Sequence, residues 1–323
     1  MKKILLLDTS VATLNMGDDI INISIKNNME ELLKDNYYIT MPTHTPLFYK
    51  YQNLLYPQKL DIYKNADYKF LCGTNALYTN MLRPLPNWNI HLFNTKLVQN
   101  TILFGVGIGE NSKNINLYTK TLYKKVLSKE YVHSTRDEKT KVMLENMGFK
   151  AENTGCPTLW KLTPEFCREI PTTKSESVIF TLTYYHKDML NDTEMIKILK
   201  RSYKKVYFWP QCALDLNYLE ELGESDGVTI ISPNLENYDA ILSEDIDYVG
   251  NRLHGGVFAL QHKKRAIIIA IDYRAREMKK NYSIPVLDRE NIVEELEAKI
   301  FSKWGTEITG LDFDKIEKWK KQF

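Results

Sequence analysis

Asp247-Tyr-Val-Gly-Asn-Arg252-Leu-His254-Gly255-Gly256-Val-Phe-Ala-Leu-Gln261 opens as a short apolar run and closes on an apolar helical face at Val257, Phe258 and Leu260. An arginine, a histidine and two glycines occupy the turn between them. In an open α/β sheet, ligands bind beyond the carboxyl ends of the strands. A helix start adds unpaired backbone N–H groups and a positive dipole end, which suit an anion. Gly255 and Gly256 lack the Cβ atoms that would hold a ligand off the backbone. Arg252 supplies a planar fork of donors for carboxylate or phosphate, and His254 a group that exchanges a proton near neutral pH. The turn therefore reads as an anion site with a proton-transfer group beside it.

Outward from this turn, the same strand–turn–helix unit repeats along the chain. Segments at 3–8 (an unbroken Ile/Leu run), 37–41, 67–72, 102–105, 131–134 and 150–154 predict strands in the first half. Runs at 178–183, 206–210, 228–232, 247–251 and 266–271 predict them in the second. Near-continuous apolar strands are those of a parallel sheet covered on both faces. Helices are expected near 20–34 (after a polar loop at 15–19) and 116–128, and again after 134. That last one opens at Thr135-Arg136-Asp137-Glu138, with Ser134 or Thr135 as its N-cap. In the second half they are expected near 193–203, 216–222, 235–243, 252–262 and 291–301. The alternation predicts an α/β fold of two Rossmann-like domains facing a cleft, with a C-terminal helix. The domains span 1–160, expected on the acceptor side, and 177–310, expected on the donor side, joined by a polar linker at 161–176 that contains Pro164 and Pro171. The amphipathic helix of 311–323 is expected to dock back on the N-terminal domain.

Composition narrows the function. Lys and Arg number 43 against 41 Asp and Glu, a formal charge of +2, which lacks the bulk basicity of a nucleic-acid binder. The four cysteines, Cys72, Cys156, Cys167 and Cys212, form no CxxC pair. Neither a zinc site nor a disulfide framework is expected, and a reduced cytoplasmic compartment is. Without an Asp-rich or His-rich cluster, no metal or cofactor is called for. The N-terminal apolar run stops at Asp8 without a cleavage-site pattern. A later run at 266–271 is too short to cross a bilayer. The expected protein is soluble, or at most peripheral at the inner face of the membrane.

Five motifs, in order, carry a resemblance. Asn15-x-Gly17-Asp18, Gly107-Ile-Gly109, Ser134-x-Arg136-Asp137, Gly155-Cys-Pro157-Thr158 and Arg252-Leu-His254-Gly255 together resemble the signature of the polysaccharide pyruvyl transferase family, from about residue 3 to about residue 280. The resemblance implies a GT-B-like fold and transfer of pyruvate from phosphoenolpyruvate to a sugar, which forms a cyclic ketal on a surface glycan or its lipid-linked precursor. It also implies active-site roles for Arg136, Arg252 and His254. The sequence departs from the family pattern at Gly73-Thr74-Asn75, at Lys264-Arg265-Ala266 and at Arg274-Ala-Arg276, which bears on donor and acceptor identity.

Phosphoenolpyruvate carries a carboxylate and a phosphate, so its pocket needs fixed positive charge. Arg136 and Arg252, at helix starts in opposite domains, would clamp it with bidentate bonds as the cleft closes. Protonated His254 would donate to C3 and its neutral form would accept from a sugar hydroxyl. Asp18 or Asp137 would be the complementary base or orient an arginine. Asn15, Gly17, Gly107, Gly109, Gln211, Gly255 and Gly256 complete the expected substrate-binding set, and Asp215 follows the same strand end as Gln211. Plainer readings stand beside these. Arg136-Asp137 can be a helix charge pair, His254 a satisfied core histidine and Asn15-x-Gly17-Asp18 an ordinary turn, and a lone Gly107-x-Gly109 before a helix is a weak signal for phosphate. The aromatic stretch 48–56 lines an acceptor site or packs internally. The Lys318-Trp319-Lys320-Lys321 tail is a solvated face, with a membrane surface near a lipid-linked glycan as the alternative. The competing functions are a GT-B glycosyltransferase using a nucleotide sugar and a binding protein that has lost catalysis.

Overall fold

The computed structural model describes residues 1–48, 50–55, 57–109 and 114–323. Tyr49 and Tyr56 of the aromatic stretch lie outside the described residues. The chain divides into two compact units, one of residues 1–13, 21–160 and 312–323, the other of residues 14–20 and 161–311.

In the first unit, β1 (Lys3–Asp8), β2 (Tyr37–Pro42), β3 (Tyr68–Cys72) and β4 (Thr101–Phe104) form a parallel sheet in the order β2-β1-β3-β4. A second parallel pair, β5 (His133–Thr135) with β6 (Ala151–Asn153), adjoins it through a bridge between Val106 and Thr135. Alternate residues of β1 serve two cores: Leu5 and Leu7 pack with Leu71, Leu103 and Tyr123, whereas Ile4 and Leu6 pack with Phe70, Phe104 and Trp160. That is the period-2 consequence of covering both sheet faces. The C-terminal helix Phe313–Lys320 covers the second face. Trp319 stands 4.6 Å from the Phe104 ring and donates its indole N–H to Val132 O at 2.7 Å.

The second unit is built on a single parallel sheet: β7 (Ser177–Thr181), β8 (Lys205–Phe208), β9 (Val228–Ile230), β10 (Asp247–Gly250), β11 (Ala266–Ala270) and β12 (Val286–Asp288). Its order is β12-β11-β10-β7-β8-β9. The chain runs outward from β7 to β9, then returns to the other side of β7 at β10. This reversal is a topological switch point, where strand ends diverge and leave a crevice.

Several expectations need correction. The 15–19 stretch is not a loop, because a helix begins at Met16 and runs to Asn28, followed by a short one at Glu30–Lys34. Asn15 starts that helix with its side chain on the Gly17 N–H, and residues 14–20 group with the second unit rather than the first. The 161–176 stretch belongs to the second unit instead of forming a separate linker. Thr163 caps a helix at Pro164–Cys167, Cys167 and Ile170 are buried, and Thr172 O accepts from Trp304 N at 3.0 Å. The helix after β5 is capped by Asp137, not by Ser134 or Thr135. A helix at Tyr273–Tyr282 and strand β12 carry no sequence signal. That helix buries only Ala275 and Tyr282, so it has no apolar stripe to read. All four cysteines are free and buried.

Candidate active site

Strand β10 ends at Gly250, and Arg252 is the N-cap of the helix Leu253–Gln261. Three contacts hold this turn from below. Tyr248 donates its hydroxyl to Arg252 O at 2.8 Å, Tyr238 donates to Gly255 O at 2.8 Å, and Arg252 N–H donates to Thr181 Oγ1 at 3.2 Å. The turn is therefore fixed to both strands that flank the switch point, β7 and β10.

Arg252 is buried, and its guanidinium is largely engaged. Its Nε donates to Leu182 O at 2.9 Å and to Asp215 Oδ2 at 3.1 Å, and Nη2 pairs with Asp215 Oδ1. Nη1 faces the Tyr185 hydroxyl at 3.3 Å, with the guanidinium over the Tyr185 ring. Asp215 also accepts from Tyr184 N and Cys212 N. Burial raises its carboxyl above the ordinary carboxylate value, with Arg252 and these two N–H groups pulling the other way. Four donors aimed at two oxygens match an ionised carboxylate. The fork expected to grip a ligand thus grips Asp215, and only the Nη1 side faces the pocket.

That pocket lies in the second unit at the strand ends. Asn15, Gln211, Asn251, Arg252 and His254 line it, with Tyr185, Asp272 and Arg274 on its wall. Arg274 pairs with Asp272 through Nε and Nη2, at 2.9 and 2.6 Å. Burial would raise the Asp272 carboxyl, but Arg274 and the N–H groups of Arg274 and Ala275 hold it below the usual carboxylate range. The pocket joins two cations, a half-buried histidine and a helix start, which suits an anion that must exchange a proton.

The glycines serve packing. A Cβ on Gly256 would meet Ile268 Cγ1 at 2.4 Å and the Tyr248 ring at 2.8 Å, so this glycine lets the helix lie against β11. On Gly255 a Cβ would stand 3.0 Å from Gln211 Oε1, and on Gly17 it would stand 2.8 Å from Gln211 Nε2. Gln211 ties these segments together: Nε2 donates to Asn15 Oδ1 at 2.8 Å, and Met16 N donates to Gln211 O at 3.1 Å. Gly17 and Asp18 sit in the first turn of the helix Met16–Asn28, where the Asp18 charge complements the dipole. Asn15 reaches the pocket wall; Gly17 and Asp18 are not part of it.

In the first unit, the remaining three motifs meet. Ser134 Oγ lies 2.6 Å from Thr154 Oγ1 and accepts from Gly105 N. Gly107 leaves room for Arg136, whose Nε would be 2.4 Å from a Cβ there, and for Asn75 Oδ1 at 2.8 Å. Gly109 does the same for the Tyr78 ring. Asp137 accepts from both the N–H and the hydroxyl of Thr140 at 2.7 Å, with its other oxygen 3.8 Å from Arg136 Nε. It caps a helix and steadies Arg136, which leaves it poorly placed as a free base.

The sequence reading missed Tyr185, Asn251 and Asp272. Asn251 was legible as the neighbour of Arg252, but Tyr185 and Asp272 follow other strands and become neighbours only through the sheet order.

The family model for polysaccharide pyruvyl transferase matches residues 15–273, a stretch that contains every motif described above. The chain belongs to the polysaccharide pyruvyl transferase family. Membership makes it a pyruvyltransferase acting in polysaccharide synthesis. Among solved structures, it is similar to Methanocaldococcus jannaschii UDP-GlcNAc 2-epimerase in complex with UDP-GlcNAc and UDP. The TM-score is 0.53 and the identity 13%, over 100% of each chain. At that identity the likeness is one of fold, a mixed α/β architecture of the GT-B type. No curated protein matches the chain. Among the described residues, no helix is long and apolar enough to cross a membrane, and no group of His, Cys, Asp and Glu gathers as a metal site.

Proposed function

We propose that this chain transfers pyruvate from phosphoenolpyruvate to a sugar of a bacterial surface polysaccharide or its lipid-linked precursor, closing a cyclic ketal. The observation that carries the reading is His254 at a helix start, in one pocket with Arg252 and Arg274, at the switch point of the sheet. Protonated His254 delivers its proton to C3 of the enol, turning the methylene into a methyl group. A sugar hydroxyl adds at C2 and gives up its proton to a base, for which neutral His254 is placed. The C2–O bond to phosphate then breaks, and a second hydroxyl closes the ketal at C2 with loss of its own proton. Arg274 and the Nη1 side of Arg252 offset the donor's negative charge, and Arg136 in the first unit is proposed as a further catalytic residue. No cofactor enters this scheme.

Phosphate release from phosphoenolpyruvate in the presence of glycan acceptors tests the proposal. His254→Gln is expected to lower kcat by roughly 10²–10⁴, the worth of one acid–base group. Arg136→Gln is expected to lower kcat/KM for the donor. The alternative, a glycosyltransferase, draws on the fold's likeness to a protein solved with UDP. Thermal shifts with UDP or CMP but none with phosphoenolpyruvate would favour it.

A further inference from the structure

Hydrogen bonding fixes which way the Gln211 amide points in the second unit's pocket, and Asn251 is turned toward the Thr183 hydroxyl. Gly17 N–H donates to Asn15 Oδ1 at 3.2 Å, so that atom is an acceptor, and Gln211 Nε2 donates to it at 2.8 Å. Gln211 Oε1 is therefore turned the other way, toward Gly255. Thr183 Oγ1 donates to Asn251 Oδ1 at 2.8 Å, which leaves Asn251 Nδ2 over. Gln211 and Asn251 are each 3% exposed, and both line the pocket. Oε1 of the one and Nδ2 of the other make no hydrogen bond among the described residues. Burying a donor or acceptor unpaired costs about 1–3 kcal/mol, a cost that a bound group reaching both atoms removes.

The leftover atoms are one acceptor and one donor. A hydroxyl is the group that can give to the first and take from the second. Ionised phosphoenolpyruvate presents carboxylate and phosphate oxygens, which accept only, so it has nothing to offer Gln211 Oε1. We propose that Gln211 and Asn251 hold a hydroxyl of the sugar acceptor, beside the donor-binding cations Arg252 and Arg274. This rests on the pyruvyl-transfer reading above. Neither amide takes up a proton at neutral pH, so the pair binds and aims the hydroxyl while the proton passes to neutral His254.

The test uses full-length protein, phosphoenolpyruvate by calorimetry, and the methyl glycosides of galactose, mannose, glucose and N-acetylglucosamine by saturation-transfer NMR. In Asn251→Ala and Gln211→Met, both uncharged, affinity for the bound glycoside should fall about tenfold, the worth of one hydrogen bond. Affinity for phosphoenolpyruvate should stay within about twofold. A tenfold loss for phosphoenolpyruvate with glycoside binding intact would overturn the assignment, as would a wild type that binds phosphoenolpyruvate but none of the glycosides. Wild-type binding of a glycoside without phosphoenolpyruvate, with the glycoside lost in both variants, would sink the donor reading and leave the hydroxyl site standing. Should Asn251→Ala fail to fold, Asn251→Asp keeps the Thr183 contact while removing Nδ2. Unchanged glycoside affinity in that variant would equally overturn the proposal.

Discussion

His133 is wholly buried in the first unit, where its Nδ1 accepts from Leu103 N at 3.1 Å and its Nε2 faces Ser128 O at 2.9 Å. One nitrogen must accept and the other donate, so the folded state requires the neutral ring. Burial pushes its pKa down to about 4 from the ordinary 6.5, against the smaller upward pull of Ser128. Between those values the unfolded chain binds a proton that the folded chain refuses. Stability contributed by His133 is thus full above pH 6.5 and falls as pH drops toward 4, by on the order of 3 kcal/mol. Urea melts across this range should show the slope, and His133→Gln should flatten it. The Arg252–Asp215 pair makes a second residue-scale prediction. Both side chains are at most 2% exposed, so Asp215→Ala strands a buried guanidinium and should cost about 3–5 kcal/mol of unfolding free energy. Arg252 and His254 were legible because motif residues stand together in the chain. The partner that occupies Arg252 was not, since Asp215 lies 37 positions away and the strand order β10-β7-β8 brings it near.

At the scale of elements, the helix Leu253–Gln261 lies close enough to β11 that the second glycine of its motif has no room for a methyl. Gly256→Ala is expected to destabilise by about 1–3 kcal/mol through overpacking against Ile268 and Tyr248. A thermal melt with an unchanged midpoint would show that the helix can shift outward at no cost. Sequence reasoning took Gly255 and Gly256 as openings for a ligand, because a glycine pair at a helix start looks the same whether ligand or protein fills the space. The strands were legible for a firmer reason. Runs such as Ala266–Ala270 are buried throughout, and a parallel strand has no polar face to blur the pattern. β12 is three residues long and the Tyr273–Tyr282 helix is mostly solvated, so neither had a period to detect.

For the molecule as a whole, the motifs divide between the two units: the Gly107, Arg136 and Gly155 motifs in the first, the Asn15 and Arg252 motifs in the second. Each unit places its share at the carboxyl ends of parallel strands, which is where the doubly wound fold leaves backbone groups for ligands. The C-terminal helix contributes differently. Trp319 is 3% exposed and packs on Phe104, Phe70 and Trp160. Trp319→Ala should cost about 3–5 kcal/mol in the first unit, read from denaturant melts. Alternating α/β organisation was written in the apolar runs, whereas the grouping of residues 14–20 with the second unit was not. Nothing local to Asn15 announces that its partner is Gln211, 196 positions on. The central claim is pyruvyl transfer with His254 as the acid–base group. Its most direct test is mass spectrometry of a glycan acceptor incubated with phosphoenolpyruvate and the protein, with phosphate followed in parallel. Wild type should add pyruvate to the acceptor and release phosphate in equal amount, and His254→Gln should do neither at a comparable rate. Equal product from the His254→Gln protein, or sugar transfer from a UDP- or CMP-sugar in place of pyruvate transfer, would contradict it.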